Sequence, residues 1–422
     1  MNCEKKSGKY KHFCKIMVYF EAVFLKRLRQ MKIISLEKAK IQEWIAWAIY
    51  FFINIVFCIK YNPIDAIKPV YLMIGYPAIV LIVYMGVRHF VVRHENVFFI
   101  VVSCFILGLS LVFLFTIDKY ALNVDRWSAL EYWSENLKNG LYPYGTKTHL
   151  GNYASPYPVW QLFHFPFYLL GETGYGSIFC LVLFLTFLYR IRKQARIVPY
   201  IVLLLMSPCF WWEFAVRSDS LPNMFLVFIF LSVLFYRPAL WDRHPYWIGL
   251  IVGLFLCTKM LVVIPLFIYF FSKFLSLETL KGKFLFFCMA LCGLAVPFLP
   301  FLFGEKSILN NPYNPMLVQI RDGNIMTFVV GMVVITWASL KWKNMKTCFF
   351  LSGLFLFLTI FAIGVKVTID QTLHDTIFGN GLDISYFTTA LPFILFCIIE
   401  HSVRMDSPVQ CGNPGHRQKR GC

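Results

Sequence analysis

The sequence predicts an all-α membrane protein, a polytopic bundle of about 12 transmembrane helices. Of its 422 residues 59% are hydrophobic, and the mean hydropathy is +0.64. A soluble domain of this length cannot bury so much apolar surface, which leaves the class of integral membrane proteins. An apolar run from Tyr246 to Ser272 is interrupted by Thr258-Lys259, and we interpret it as two short helices that meet at the lysine. Runs able to cross about 30 Å of hydrocarbon lie at 42–59, 70–87, 97–117, 173–190, 197–214, 220–236, 284–303, 325–340, 348–366 and 384–399.

The distribution of charge predicts the orientation of these segments. With the N-terminus in the cytoplasm, the inside tails and loops carry 29 Lys and Arg residues and the outside loops carry 11. Lysine and arginine are enriched in cytoplasmic loops of membrane proteins, so this orientation is the favoured one. The net charge of +18 then reflects topology and contact with an anionic bilayer, and it gives no reason to expect nucleic-acid binding.

Composition divides the chain into four regions. The first two spans are joined by a short loop with little chemistry, whereas long polar loops begin only after the third span. The regions are a basic cytoplasmic tail (1–41), an accessory transmembrane hairpin (42–96), a transmembrane core (97–400) with long outer loops at 118–157, 304–324 and 367–383, and a disordered cytoplasmic tail (401–422).

The first long loop is the longest polar, aromatic-rich interval of the chain. Apolar residues recur in it at intervals of three and four, at Leu130, Trp133, Leu137 and Leu141. This spacing predicts an amphipathic helix in the membrane interface, with its tryptophans at headgroup depth. Asp125 stands where the helix begins. It serves either as a general base for an acceptor hydroxyl or as the N-cap of the helix, a position that Asp favours.

The same loop resembles the first outer loop of GT-C class glycosyltransferases, most closely the polyprenyl-phosphomannose-dependent, mannosyltransferase-like family. The family pattern is Asp, Tyr, Gly-x-x-Tyr and Tyr-Pro-Pro. The matching residues are Asp125, Tyr132, Gly140-Leu141-Tyr142-Pro143-Tyr144 and Tyr157-Pro158. The resemblance is strong over 120–165 and architectural elsewhere in 97–400. It departs from the family in two places, because the acid is single and Val159 replaces the second proline.

The resemblance implies a role for each matching residue. It makes Asp125 the catalytic residue and assigns substrate binding to Tyr132, Tyr142, Tyr144 and Tyr157. The interfacial helix would fix the carboxylate at the boundary between lipid and water.

Two cations at span boundaries are candidates for binding the phosphate of a lipid donor. Arg217 follows the fifth span, and its guanidinium fork matches phosphate oxygens. It could instead pair with Asp219 or Glu213, or extend to the headgroups. Lys259 breaks an apolar run and resembles the Thr-Lys turn of GT-C enzymes, although a lysine at a hairpin tip could also extend to the headgroups.

Polar residues of the two later outer loops have the side chains that a sugar needs, and they are also ordinary loop residues. His374 is the candidate there for stabilising the leaving phosphate, and Arg321 and Asp219 are further candidates for substrate binding. The set in the two loops is Asn310, Asn311, Tyr313, Asn314, Arg321, Asp322, Asp370, His374, Asp375, Asn380 and Asp383.

These features predict an inverting membrane glycosyltransferase with its active site on the outer face. The donor implied by the resemblance is a polyprenyl-phosphate hexose such as mannose, the acceptor is a glycan or glycolipid, and the membrane is bacterial and cytoplasmic. No cofactor is expected. A divalent metal stays open, although no residue spacing supports one. The alternatives are a lipid-linked glycan polymerase or ligase, and a transporter or flippase of lipid-linked sugars.

Overall fold

The computed structural model describes residues 39–62, 68–89, 95–191, 197–303, 307–310, 312–320, 325–379 and 381–399. The predicted tails therefore lie outside the described residues, except for 39–41, which belong to the first helix. Arg321, a predicted substrate-binding residue, also lies outside them, as do Asn311, Asp322 and Asn380. The described chain is helical with one isolated β-bridge, between Lys147 and Tyr153, which confirms that the protein is all-α.

The helices follow one another with short connections outside the long loops. They are α1 (Ala39–Lys60), α2 (Pro69–His89), α3 (Glu95–Thr116), α4 (Arg126–Lys138), α5 (Pro158–Leu169), α6 (Gly174–Ile191), α7 (Ile197–Leu205), α8 (Pro208–Ala215), α9 (Ser220–Tyr236), α10 (Ala239–Arg243), α11 (Pro245–Leu256), α12 (Val263–Leu275), α13 (Leu280–Ala295), α14 (Pro315–Ile320), α15 (Ile325–Ser339), α16 (Met345–Asp370), α17 (Leu373–Ile377) and α18 (Leu391–Ile398). Turns of 3-10 helix lie at Lys119–Ala121, Pro143–Gly145, Met260–Val262, Val296–Phe301 and Ile384–Ala390.

The chain is a multi-pass helical membrane protein. Within the described ranges, six helices are long and apolar enough to cross a membrane: α1, α2, α3, α6, α16, and α13 with its extension to Phe301. A seventh span results if α7 and α8 count as one, although they are bent by 63° at a break before Pro208. The remaining predicted spans correspond to apolar helices of 10–17 residues. The total of about 12 crossings therefore stays a prediction.

Helices α11 and α13 pack together at backbone distance. A Cβ placed on Gly253 would lie 2.0 Å from the carbonyl oxygen of Ala290, and one on Gly293 would lie 2.3 Å from that of Leu250. Small residues let helices approach closely in a membrane, where association depends on packing. Because α11 leads directly to the turn at Lys259, this contact fixes the position of the lysine.

The centre of the bundle is formed by α18 and α9. Every residue of α18 is buried, and the helix contacts α7, α9 and α16. Phe228 of α9 lies 4.9–5.8 Å, between ring centroids, from Phe349, Phe393 and Phe396. The Thr388 hydroxyl, just before α18, and the Leu221 N–H, at the start of α9, both donate to Glu213, at 2.8 and 3.2 Å, so the segments that precede the two helices meet at one end of the bundle.

The three long loops lie at that same end. The Tyr142 hydroxyl of the first loop donates to the Phe301 carbonyl at 2.8 Å, next to the second loop. Arg126 Nη2 lies 2.7 Å from Asp383 Oδ2 in the third loop. A common location agrees with the prediction that all three loops face the same side of the membrane.

The helix predicted in the first loop is α4, and the first part of its apolar stripe faces the protein, whereas Leu141 lies beyond the helix and is 59% exposed. Trp127 and Trp133 have no exposed surface, and Leu130 is also buried. The Trp133 ring packs against Tyr144 and Phe301. These tryptophans therefore contact the protein and not the headgroups, because the rest of the loop folds back over them, and their depth in the membrane stays a prediction.

Candidate functional site

Asp125 is half-buried immediately before α4, and its carboxylate is held by the first loop. It stands at the N-cap position, yet its side chain makes no capping hydrogen bond. Oδ2 accepts hydrogen bonds from Thr148 Oγ1 at 2.9 Å and from Asn152 Nδ2 at 2.7 Å. No hydrogen bond to Oδ1 is found among the described residues. One carboxylate oxygen is thus fixed and the other is open, which is not the geometry of a side-chain cap.

The residues that hold Asp125 belong to a tight turn of the first loop. Thr148 N–H donates to the Asn152 carbonyl at 2.7 Å. Gly151 has a φ of 86°, a conformation that glycine adopts at little cost. His149, within the turn, stacks on Trp127 with ring centroids 4.8 Å apart. The turn is therefore packed against α4 and fixes the orientation of the Asp125 carboxylate.

Arg126, the next residue, points into the protein and is buried. Its guanidinium joins the first loop to the α8–α9 turn and to the third loop, and its carbon lies 4.5 Å from the centre of the Tyr386 ring. Its hydrogen-bond acceptors are Ser218 Oγ at 3.1 Å, Ser220 Oγ, Asp383 Oδ2 at 2.7 Å and Ser385 Oγ at 2.5 Å.

Lys259 contacts one of the serines that Arg126 contacts, and Arg126, Asp219, Ser220, Lys259 and Asp383 together form a polar cluster. Its Nζ is 2.5 Å from Asp219 Oδ1 and 3.0 Å from Ser220 Oγ. The second oxygen of Asp219 accepts a hydrogen bond from Trp160 Nε1 at 2.7 Å. Because Ser220 Oγ contacts both Lys259 and Arg126, the two cations converge on one hydroxyl. Sequence analysis placed Lys259 and Asp219 in the site, and the structure makes them partners.

The cluster contains two cations, Arg126 and Lys259, and two carboxylates, Asp219 and Asp383, so its charges balance. Burial alone would raise the pKa of Asp219, but Lys259 and Arg126 outweigh it and hold that pKa below its usual value. Burial lowers the pKa of Lys259, although Asp219 opposes the shift. Desolvation would likewise raise the pKa of Asp383, and Arg126 keeps it low. Both carboxylates are therefore ionised at neutral pH and pair with the two cations.

Backbone hydrogen bonds connect the end of the first loop to the Lys259 turn. Tyr157 N–H donates to the Thr258 carbonyl at 3.0 Å, and Val159 N–H donates to the Cys257 carbonyl at 3.1 Å. The Tyr-Pro segment of the first loop thus lies against the segment that carries the lysine. The first long loop and the Thr258-Lys259 turn are thus adjacent in space.

Arg217 has a different environment. It is buried, with Nη2 donating to the carbonyls of Leu114 at 2.7 Å and Ile117 at 2.9 Å, where α3 ends. Its Nε lies 3.5 Å from Glu172 Oε2, so its carboxylate partner is neither of the acids weighed from the sequence. Its φ of 54° turns the chain between α8 and α9. The donor-phosphate role of Arg217 stays a prediction, and its observed contacts stabilise a helix end.

The four tyrosines predicted to bind substrate contact other parts of the protein. Tyr144 and Tyr157 are buried in the apolar cluster beneath α4. The Tyr142 hydroxyl donates to a backbone carbonyl, and Tyr132 packs edge-on against a tryptophan of its own helix. These contacts support the loop that holds Asp125, and none of them tests substrate binding.

His374 lies on the surface of the third long loop. Its side chain is 80% exposed, and its Nδ1 is 3.7 Å from Asp375 Oδ1. Its ring packs against Phe378. No contact joins it to Asp125 or Lys259 in the described structure, and its role as a phosphate ligand stays a prediction.

Sequence analysis missed Arg126 and the two residues that hold Asp125. A signal for Arg126 was present, because a cation in the first turn of a helix is unfavourable against the helix dipole and needs partners elsewhere. Thr148 and Asn152 carry no such signal, since their contact with Asp125 depends on a turn more than twenty residues away. The part of the chain that the structure describes contains no group of three or more His, Cys, Asp or Glu placed to hold a metal ion.

Comparison with known proteins adds no relative. The chain matches no protein-family model, and no significant match was found with a curated protein or a solved structure.

Proposed function

We propose that the protein is a membrane glycosyltransferase that moves a hexose from a polyprenyl-phosphate donor to a hydroxyl of a glycan or glycolipid. The observation that carries the proposal is the pair of consecutive residues before and in α4. Asp125 presents one open carboxylate oxygen, while Arg126, the next residue, donates to Ser220 Oγ, which also accepts a hydrogen bond from Lys259. Transfer from a lipid phosphate to a hydroxyl uses a base for the acceptor and cations for the leaving phosphate.

The reaction is a single displacement. Asp125 Oδ1 accepts the proton of the acceptor hydroxyl while the hydroxyl oxygen bonds to the anomeric carbon. The bond from that carbon to the phosphate oxygen breaks, and its electron pair leaves with the polyprenyl phosphate. The configuration at the anomeric carbon is inverted, because attack and departure occur on opposite faces.

Lys259 supplies the contact to the departing phosphate. An ammonium group has three N–H donors, and Asp219 and Ser220 accept two of them. The third has no partner among the described residues, and the side chain is 12% exposed, so a phosphate oxygen can reach it. Arg126, which shares Ser220 Oγ with Lys259, adds to the positive electrostatic potential at this position. Such preorganised charge stabilises the negative charge that develops on the leaving group.

A lipid-borne donor suits the placement of the site. The long loops lie at one end of a bundle that contains membrane-spanning helices. A polyprenyl chain would stay in the bilayer and present its phosphosugar to this end. Mannose is the sugar that the resemblance of the first loop favours.

The proposal is tested with the purified protein in liposomes. Polyprenyl-phosphate mannose, glucose and galactose are offered separately, together with glycolipids extracted from bacterial membranes, and GDP-mannose serves as the nucleotide-sugar control. We expect one polyprenyl donor to be consumed, with one polyprenyl phosphate released for each sugar transferred and with inverted configuration in the product. Consumption of GDP-mannose alone, or of none of the donors, contradicts the proposal.

A further inference from the structure

Two tyrosines from different loops form an aromatic pair, and one of them lies on the turn that holds Asp125. The ring centroids of Tyr153 and Tyr313 lie 5.3 Å apart, and the ring planes are nearly perpendicular, at 85°. Tyr153 directly follows Asn152, the residue whose amide holds the Asp125 carboxylate. Both rings are half-exposed, in contrast to the buried Tyr144 of the same loop. The pair is therefore a partly open aromatic surface on the loop that holds the proposed base.

The second long loop, which carries Tyr313, is fixed to the site by an independent contact. Gln319 Nε2 donates to the Ser155 carbonyl at 2.6 Å, and its Oε1 accepts from Met260 N–H at 2.8 Å. One side chain thus ties α14 to the first loop and to the residue that follows Lys259. These two hydrogen bonds of Gln319 keep the loop that carries Tyr313 against the loop that carries Tyr153.

A polar group accompanies the rings. Lys147 Nζ lies 5.5 Å from the centroid of Tyr153, and the Lys147–Tyr153 bridge closes the turn that contains Thr148 and Asn152. Aromatic faces with a few adjacent hydrogen-bond donors are a common lining of sites for small polar ligands. A pyranose ring has both surfaces that such a site needs, since its C–H face packs on an aromatic ring and its hydroxyls accept hydrogen bonds from an ammonium group.

We propose that Tyr153 and Tyr313, flanked by Lys147, form the acceptor subsite, and that they bind a pyranose unit of a glycan whose hydroxyl then reaches Asp125. This inference rests on the proposed function, because it takes Asp125 as the base. The position favours the acceptor over the donor. Arg126, directly after Asp125, belongs to the cluster with Lys259, whereas Thr148 and Asn152, which hold Asp125, belong to the turn that carries the half-exposed Tyr153. Asp125 is thus connected to both.

The test measures binding of sugars without requiring transfer. Saturation-transfer NMR is recorded on the purified full-length protein in detergent micelles with methyl α-mannoside, methyl β-glucoside and methyl β-galactoside. Tyr153→Ala and Tyr313→Ala should each weaken binding of the glycoside that the unaltered protein prefers by roughly three- to tenfold, the contribution of an aromatic contact. Tyr153→Phe and Tyr313→Phe should bind as before, because the ring is kept.

Tyr71→Ala is the matched control, since Tyr71 is 64% exposed on α2 and lies outside the long loops. Size-exclusion profiles of all variants establish that they are folded. Equal binding by the unaltered protein and both Ala variants overturns the subsite, and so does the absence of saturation transfer to all three glycosides. Either result leaves the proposed function standing if a polyprenyl donor is still consumed, so the two failures are distinguishable.

Discussion

Arg126 and Asp383 are 257 residues apart in the sequence, and their side chains form an ion pair with 2.7 Å between Nη2 and Oδ2. The arginine is buried and the Asp383 side chain is 48% exposed, so the pair lies at the edge of the cluster. It joins the first and the third long loops. The geometry of Asp125, the preceding residue, depends on this junction.

The junction should be visible as energetic coupling. Arg126→Gln is expected to lower the free energy of unfolding by roughly 1.5–3 kcal/mol, the value of a hydrogen bond to a charged group, and Asp383→Asn by less because that carboxylate is partly solvated. The double variant should lose less than the sum, since each single change leaves its partner without a counter-charge. Thermal unfolding in detergent measures the three losses, and strictly additive values would contradict the coupling.

Lys259 is half-buried and Arg217 is buried, and the sequence marked both as phosphate ligands, but their surroundings predict different outcomes. Lys259→Gln should lower kcat/KM for the polyprenyl donor roughly 10- to 100-fold, because a charged hydrogen bond to the departing phosphate is lost. Arg217→Gln should mainly lower stability, since its partners are the carbonyls at the end of α3. Donor titrations and melting curves of the two variants separate these effects. An unchanged kcat/KM for Lys259→Gln, or an equal fall for Arg217→Gln, would argue against this division.

Stability should fall in acid because of Asp219. Its pKa in the folded protein lies below that of the unfolded chain, which is about 3.9. The unfolded chain therefore binds the proton first as the pH falls, and the stabilisation is fully present above about pH 4 and is lost as the pH falls through the lower folded value. Melting temperatures from pH 7 to pH 3 should decline more steeply for the unaltered protein than for Asp219→Asn. Parallel curves would contradict the assignment.

How far the sequence predicted the structure depends on the range of the interaction. Hydropathy and the charge bias act within single segments, and they predicted the helical membrane class and the helix at 126–138. The side of α4 that meets the protein was not predictable in this way. An apolar stripe is equally suited to lipid and to a protein core, and only the fold of residues 139–157 decides between them.

The site was predicted where a chemical type stands out locally. Asp125 and Lys259 are charged residues beside apolar runs, and both belong to the observed cluster or its rim. Their partners come from distant segments, such as Asn152 and Asp383, whose residue types are common in loops. Tyr144 matched a sequence pattern and is buried in the apolar cluster beneath α4, a contact that the pattern did not reveal, and its role in substrate binding stays a prediction.

The orientation of the loops can be tested by thiol labelling. In a variant without native cysteines, a cysteine replacing the exposed Lys147 should react with a membrane-impermeant maleimide added outside intact cells. One replacing Lys343, in the predicted cytoplasmic loop before α16, should react only after the cells are opened. Reversed labelling would contradict the predicted topology and the outer location of the site.

The central claim is that Asp125 acts as the base, and the rate of polyprenyl-phosphate release under single-turnover conditions tests it most directly. Asn can accept the hydrogen bonds from Thr148 and Asn152 and suits the N-cap position, so Asp125→Asn should fold normally. It cannot accept a proton, and its rate should fall roughly 100- to 10,000-fold. Asp118→Asn is the control, because Asp118 lies in the same loop and caps a 3-10 turn at Lys119–Ala121, which Asn can also do. The account predicts that Asp118→Asn transfers sugar at the normal rate and that Asp125→Asn is nearly inactive, whereas an Asp125→Asn protein within a few-fold of the unaltered rate would contradict it.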